Sequence, residues 1–178
     1  VERRGRETDG RLAVEDVHGS GIVEEGEASE DRKAPDPDED LLAGRLRTPG
    51  DPHVSFGDDP LRMLRAARFA SQLEVEVVPE TVAAMAELRE TLSIVSPERV
   101  QGELVRLMQT DDPVRGIRLL VETGLMAEFL PEVPALRLEV DEHHHHKDVY
   151  EHSLTVLRQA ISLEKSRHPD AAPDVALR

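Results

Sequence analysis

Asp58-Asp59-Pro60-Leu61-Arg62-Met63-Leu64-Arg65-Ala66-Ala67-Arg68-Phe69 is the stretch on which the reading of this chain turns. Asp58 or Asp59 can cap a helix, and Pro60 suits its first position, where no N–H is needed. The spacing predicts a helix over 61–72. At about 100° per residue, Arg62, Arg65 and Arg68 share an arc of roughly 120°. Met63, Ala66, Ala67 and Ala70 fall opposite and can pack. Three guanidinium groups at this spacing repel by about 0.2–0.5 kcal/mol per exposed neighbouring pair, which an anion would relieve. Asp59, one turn before Arg62, adds an acceptor that phosphate alone does not call for. An acceptor beside a planar donor fork matches a base edge with an amino group next to a ring nitrogen. Cytosine and adenine have that edge; uracil and guanine do not. The plain alternative is an exposed basic face paired with nearby acids.

Working outward, the same start signals recur. Pro79-Glu80-Thr81 opens a helix expected to reach about Leu92. Ser96-Pro97-Glu98 and Asp111-Asp112-Pro113 open two more. Val100, Leu104, Leu107 and Met108 form one apolar stripe, and Val114, Ile117, Leu120 and Val121 the next. Gly124 and Pro131 mark stops. A last helix is expected over 150–163 through Leu154, Val156, Leu157 and Ile161. Val75 to Val78 is β-branched but too short for a sheet. The fold class is therefore all-α, an array of short helices. Residues 1–40 lack a sustained apolar period, and Ala34 to Asp40 reads as a linker, so this N-terminal segment is expected to be disordered or degenerate. Residues 41–57 read as an irregular approach with turn chemistry at Thr48-Pro49-Gly50-Asp51-Pro52.

Composition narrows the class. Aromatic residues are 2% of the 178, and Cys is 0, so the core rests on aliphatic side chains and no disulfide or thiolate zinc site is available. The net charge is −15, with −8 in residues 1–40 and −7 in the other 138, which argues against loose binding to polyanions. A nucleic acid must be met by a local basic face. No apolar run approaches a membrane span, and the N-terminus lacks a signal-peptide core, so a cytoplasmic location is expected.

The acid pair, two residues, Arg, two residues, Arg, then Ala-Ala-Arg-Phe resembles the neck motif of the class II nucleotidyltransferases, the bacterial CCA-adding enzymes and poly(A) polymerases. Asp58 stands where the family has Glu. Ile94-Val95-Ser96-Pro97-Glu98-Arg99-Val100, Glu103-Leu104, Gly124-Leu125 and Leu130-Pro131-Glu132 are similar to further family signatures, in the same order. The resemblance covers residues 41–163. It implies that Asp59 and Arg62 read the base of CTP or ATP, with Arg65 and Arg68 contacting the nucleotide or positioning that pair. It implies a nucleotide- and RNA-binding neck and body over 58–140, and makes 41–57 the exit from a catalytic head that is missing. A family member adds CCA to tRNA 3′ ends using CTP, ATP and Mg2+.

The paired carboxylates that hold such ions in the family are not recognisable. Gly19-Ser20-Gly21 is a superficial echo, and Asp36-Pro37-Asp38 lies in the linker. This chain is therefore expected to be inactive alone. His143-His144-His145-His146 and the following Val149-Tyr150-Glu151-His152 resemble the start of an HD-type domain, truncated over 141–178. His152 would be its first metal ligand, but no His-Asp dipeptide occurs, and no metal is assigned. Alternatives from the same residues are a poly(A) polymerase, an HD-type phosphohydrolase and a non-catalytic helical interaction module.

Overall fold

The computed structural model describes residues 37–138 and 148–178. The disorder expected over 1–36 and the histidine run 143–146 lie outside these residues. The described residues all belong to one unit, Ala34–Arg178. In order they form α1 (Pro37–Leu42), β1 (Arg45–Leu46), α2 (Pro52–Asp58), α3 (Leu61–Gln72), β2 (Glu76–Val77), α4 (Pro79–Glu87), α5 (Pro97–Met108), α6 (Pro113–Glu122), α7 (Glu132–Ala135) and α8 (Val149–Arg167). Short 3-10 turns cover Arg89–Ile94, Leu125–Glu128, Leu136–Leu138 and Val175–Leu177.

Proline begins α2, α4, α5 and α6, where its fixed φ suits the helix and its missing N–H costs nothing. Asp51 caps α2 by accepting from the His53 N–H at 2.7 Å and the Val54 N–H at 3.4 Å. The sequence reading of 41–57 as irregular is thereby corrected. The turn residues Asp51-Pro52 are a helix start, and Phe56 anchors the helix in the core. Residues 37–40, read as linker, begin α1 instead. Asp40 is buried there because Arg45 and Arg47 satisfy its carboxylate at 3.0 and 2.6 Å. Arg47 chiefly, with Arg45, holds the Asp40 carboxyl below its usual range against the effect of burial. The Val75–Val78 run makes one parallel two-residue pairing, Arg45 with Glu76 and Leu46 with Val77. The second predicted helix stops at Glu87, and a 3-10 turn carries the chain on to Ile94.

The core is built around α3, against which α5 and α6 pack most extensively. Its Met63, Ala66, Ala67 and Ala70 are buried, as the arginine-free face predicts, and Leu61 and Leu64 are buried as well. Small residues let α6 come close. A Cβ at Gly116 would lie 2.6 Å from the Ala67 carbonyl oxygen and 2.9 Å from Ser71 Oγ. The Gly116 N–H donates to that buried Ser71 hydroxyl at 2.8 Å. Gly124 ends α6 at φ 77°, a conformation that favours glycine.

The last helix is longer than expected, starting at Val149, with the Asp148 carboxylate accepting from the Tyr150 N–H. Tyr150, Leu154, Leu157 and Ile161 face inward, whereas Val156, placed in the same stripe by sequence, is exposed. Arg118 forks onto Glu151, and Lys165 pairs with Asp111, fastening α8 across α6 and the turn before it.

Gly116→Ala is expected to destabilise the chain by about 1–3 kcal/mol, because the obstructing atoms include backbone that cannot yield. Urea unfolding followed by circular dichroism measures this. An unchanged midpoint would show that α3 and α6 are not packed this closely.

Candidate nucleotide-recognition site

The guanidinium row forms on one side of α3 but divides into two parts. Glu103 of α5 sits opposite its C-terminal half, with its side chain 2% exposed. Arg68 Nε donates to one carboxylate oxygen at 3.0 Å. Arg65 Nε at 3.4 Å and Arg106 Nη1 at 2.8 Å donate to the other. Burial would raise the Glu103 carboxyl, but Arg68, Arg65 and Arg106 more than offset it and hold it below the usual glutamate range. Arg68 is further fixed by Gln72 Oε1 at 2.9 Å and by stacking 4.1 Å from the Phe69 ring centroid.

The N-terminal half is arranged differently. The Arg62 guanidinium turns back to α2, donating from Nη1 to the Ser55 carbonyl at 3.0 Å and the Ser55 hydroxyl at 3.1 Å. Asp59 caps the start of α3 through the Leu61 N–H at 3.3 Å. Its carboxylate also meets Arg99 Nη2 at 3.4 Å and Arg65 Nη1 at 3.9 Å. Asp59 and Arg62, paired in the sequence reading, are thus one turn apart with separate partners. Neither is sealed in the interior: Asp59 is part-exposed and Arg62 exposed. Arg65 is part-exposed, and Arg68 is largely covered.

Sequence reasoning missed Glu103, Arg99 and Ser55. The signal for Glu103 was present. Val100, Glu103 and Leu107 are the buried residues of α5, so a carboxylate occupies an apolar stripe. A charge in that position requires partners. Arg99 and Ser55 carried no comparable signal, since each meets its partner only through the placing of separate helices.

Chemically, the site offers part-exposed guanidinium forks and one part-exposed carboxylate beside a helix start. Among the described residues no group of three or more His, Cys, Asp or Glu is placed to hold a metal ion. His152 is exposed on α8 and stands in no such group. No helix among the described residues is long and apolar enough to cross a membrane.

Residues 75–136 match the family described as the probable RNA- and SrmB-binding site of polymerase A. A CCA-adding enzyme of Levilactobacillus brevis is 40% identical over 102 residues, 57% of this chain and 25% of that protein. A multifunctional CCA protein of Chromobacterium violaceum is 40% identical over 131 residues, 70% of this chain and 31% of that one. A solved apo CCA-adding enzyme aligns with 74% of this chain and 39% of its own, at 19% identity and a TM-score of 0.48. Over the aligned residues the chain is similar to CCA-adding enzymes, and it spans about a quarter to a third of the length of the curated relatives it matches.

Glu103→Gln keeps the shape and removes the charge that three arginines share. A loss of about 1–3 kcal/mol is expected near neutral pH. Because folding lowers the carboxyl pKa, the stabilisation is present above the unfolded value and fades as pH falls through the folded one. The difference in melting temperature between wild type and Glu103→Gln should therefore narrow below about pH 4. A gap that stays constant with pH would contradict this assignment.

Proposed function

We propose that this chain supplies the base-selecting neck and part of the tRNA-binding body of a CCA-adding nucleotidyltransferase. The observation that carries the reading is the division of the arginine row. Glu103 anchors Arg65 and Arg68, while the Asp59 and Arg62 side chains stay part-exposed and exposed, each with its own partner and not bonded to the other. The likeness to CCA-adding enzymes over this stretch supports the same reading.

In this proposal Asp59 accepts a hydrogen bond from the exocyclic amino group of cytosine or adenine. Arg62 leaves Ser55 and donates to the adjacent ring nitrogen. Uracil and guanine present a carbonyl and a ring N–H at those positions, so each would set acceptor against acceptor and donor against donor. Arg65, held by Glu103 and 3.9 Å from the Asp59 carboxylate, keeps it aimed. Arg68 fixes the far end of the row. The helix then discriminates by hydrogen-bond pattern, with no nucleic-acid template.

Arg62→Ala is expected to weaken CTP and ATP binding by about tenfold to a hundredfold, in line with the loss of a charge-assisted hydrogen bond. Helix content should be unchanged. Calorimetry on wild type and variant decides this, and equal affinities would remove the claim.

We assign recognition, and no phosphoryl-transfer step, to the described residues. Nucleotidyl transfer runs on divalent ions held by carboxylates, and Mg2+ is proposed to be held by residues outside them. The chain alone, given CTP, ATP, Mg2+ and a tRNA ending before its CCA, should leave that tRNA unextended on a sequencing gel. Extension would place metal-binding carboxylates within residues 1–36 or 139–147.

A further inference from the structure

Beside the arginine row, the C-terminal turns of α3 and α5 border an open cleft of about 380 Å³ lined by Arg68, Gln72, Arg106, Gln109, Thr110 and Asp111. We infer that this cleft holds one unpaired nucleotide of an RNA strand, with Arg106 on the phosphodiester and Gln72 and Gln109 on the base edge. The inference rests on the RNA-binding reading of the body but does not use Asp59 or Arg62.

The walls are set from behind. Arg178, its side chain 2% exposed, donates from Nη1 to the Met108 and Thr110 carbonyls at 2.8 and 3.0 Å and pairs through Nε with Glu164 at 2.6 Å. A buried cation thus occupies the carbonyl end of α5, which would otherwise repel an anion. Lys165 engages Asp111 at 2.8 Å, and Glu103 holds Arg68 and Arg106.

The groups left over point to the ligand. Arg106 uses Nη1 on Glu103, but its side chain is 62% exposed, so the rest of its fork is open. Gln72 accepts from Arg68 through Oε1 and keeps its amide NH2 as a donor. Gln109 is exposed and hydrogen-bonds no other described side chain through its own. One free fork suits a singly charged phosphodiester better than a triphosphate. Two primary amides supply the donor and acceptor that a base edge requires. No aromatic ring lines the cleft. Arg68, largely covered between Glu103, Gln72 and Phe69, forms a fixed wall of the cleft. The volume lies at the small end of ligand clefts, about 300–1,000 Å³, and accommodates one nucleotide but no duplex.

The test is fluorescence anisotropy of a labelled single-stranded RNA octamer with the whole chain, repeated across salt concentrations. Arg106→Ala should weaken binding about tenfold for any sequence and lower the salt slope by about one. Gln109→Ala, which touches nothing in the arginine network, should weaken binding about fivefold for some bases and leave CTP calorimetry unchanged. Both variants should keep wild-type helix content. Unchanged RNA affinity in both, no RNA binding by wild type, or a loss in CTP affinity equal to the loss for RNA would each overturn the inference. A negative result for Arg62→Ala with CTP would leave it standing, so the two readings fail separately.

Discussion

The structure depends on one buried carboxylate. Glu103 takes a core position on α5, and removing its charge from water is costly unless partners make up the loss. Arg65 and Arg68 from α3 and Arg106 from its own helix do so, at 2.8 to 3.4 Å. The same bonds that make Glu103 tolerable in the core fix the crossing of α3 and α5. They also turn a row of mutually repelling side chains into a set with defined directions. On the other flank, Gly116 and Ser71 bring α6 within reach of the backbone of α3. Helix α3 is thus held on two sides, by α5 through Glu103 and by α6 through Gly116 and Ser71.

In the proposed role, the exposed side chains along α3 let an acidic chain meet an anionic ligand. The net charge of −15 repels polyanions in general. Along α3 and the end of α5 the balance is local. Arg62 and part of Arg65 and Arg106 remain accessible, and the acids near them are already engaged. In the proposed role, discrimination comes from donor and acceptor placement at a few atoms, and attraction from a few guanidinium groups.

Much of this was legible in the sequence where local chemistry decides. Pro79, Pro97 and Pro113 marked helix starts, and Met63, Ala66, Ala67 and Ala70 marked the buried face of α3. Helix α2 was missed because its Asp51-Pro52 start sits among turn residues and only Phe56 along it is buried. Val156 was misplaced because β-branched residues on the outer face of α8 carry the same label as those within. The site was only half legible. Its arginines and Asp59 lie within one dozen residues, but Glu103 lies 35 residues beyond Arg68 and Arg99 lies 40 beyond Asp59. Whether Arg62 faces Asp59 or Ser55 is set by the packing of α2, which no periodicity encodes.

In the proposed role, α3 is locked at its rear by Glu103 and closes on a base through its first turn. A crystal structure of the chain with CTP tests this most directly. It should show the cytosine edge between Asp59 and Arg62, with Arg62 released from Ser55 and with Arg65 and Arg68 still on Glu103. CTP bound elsewhere, or Arg62 still on Ser55 with the nucleotide in place, would contradict it.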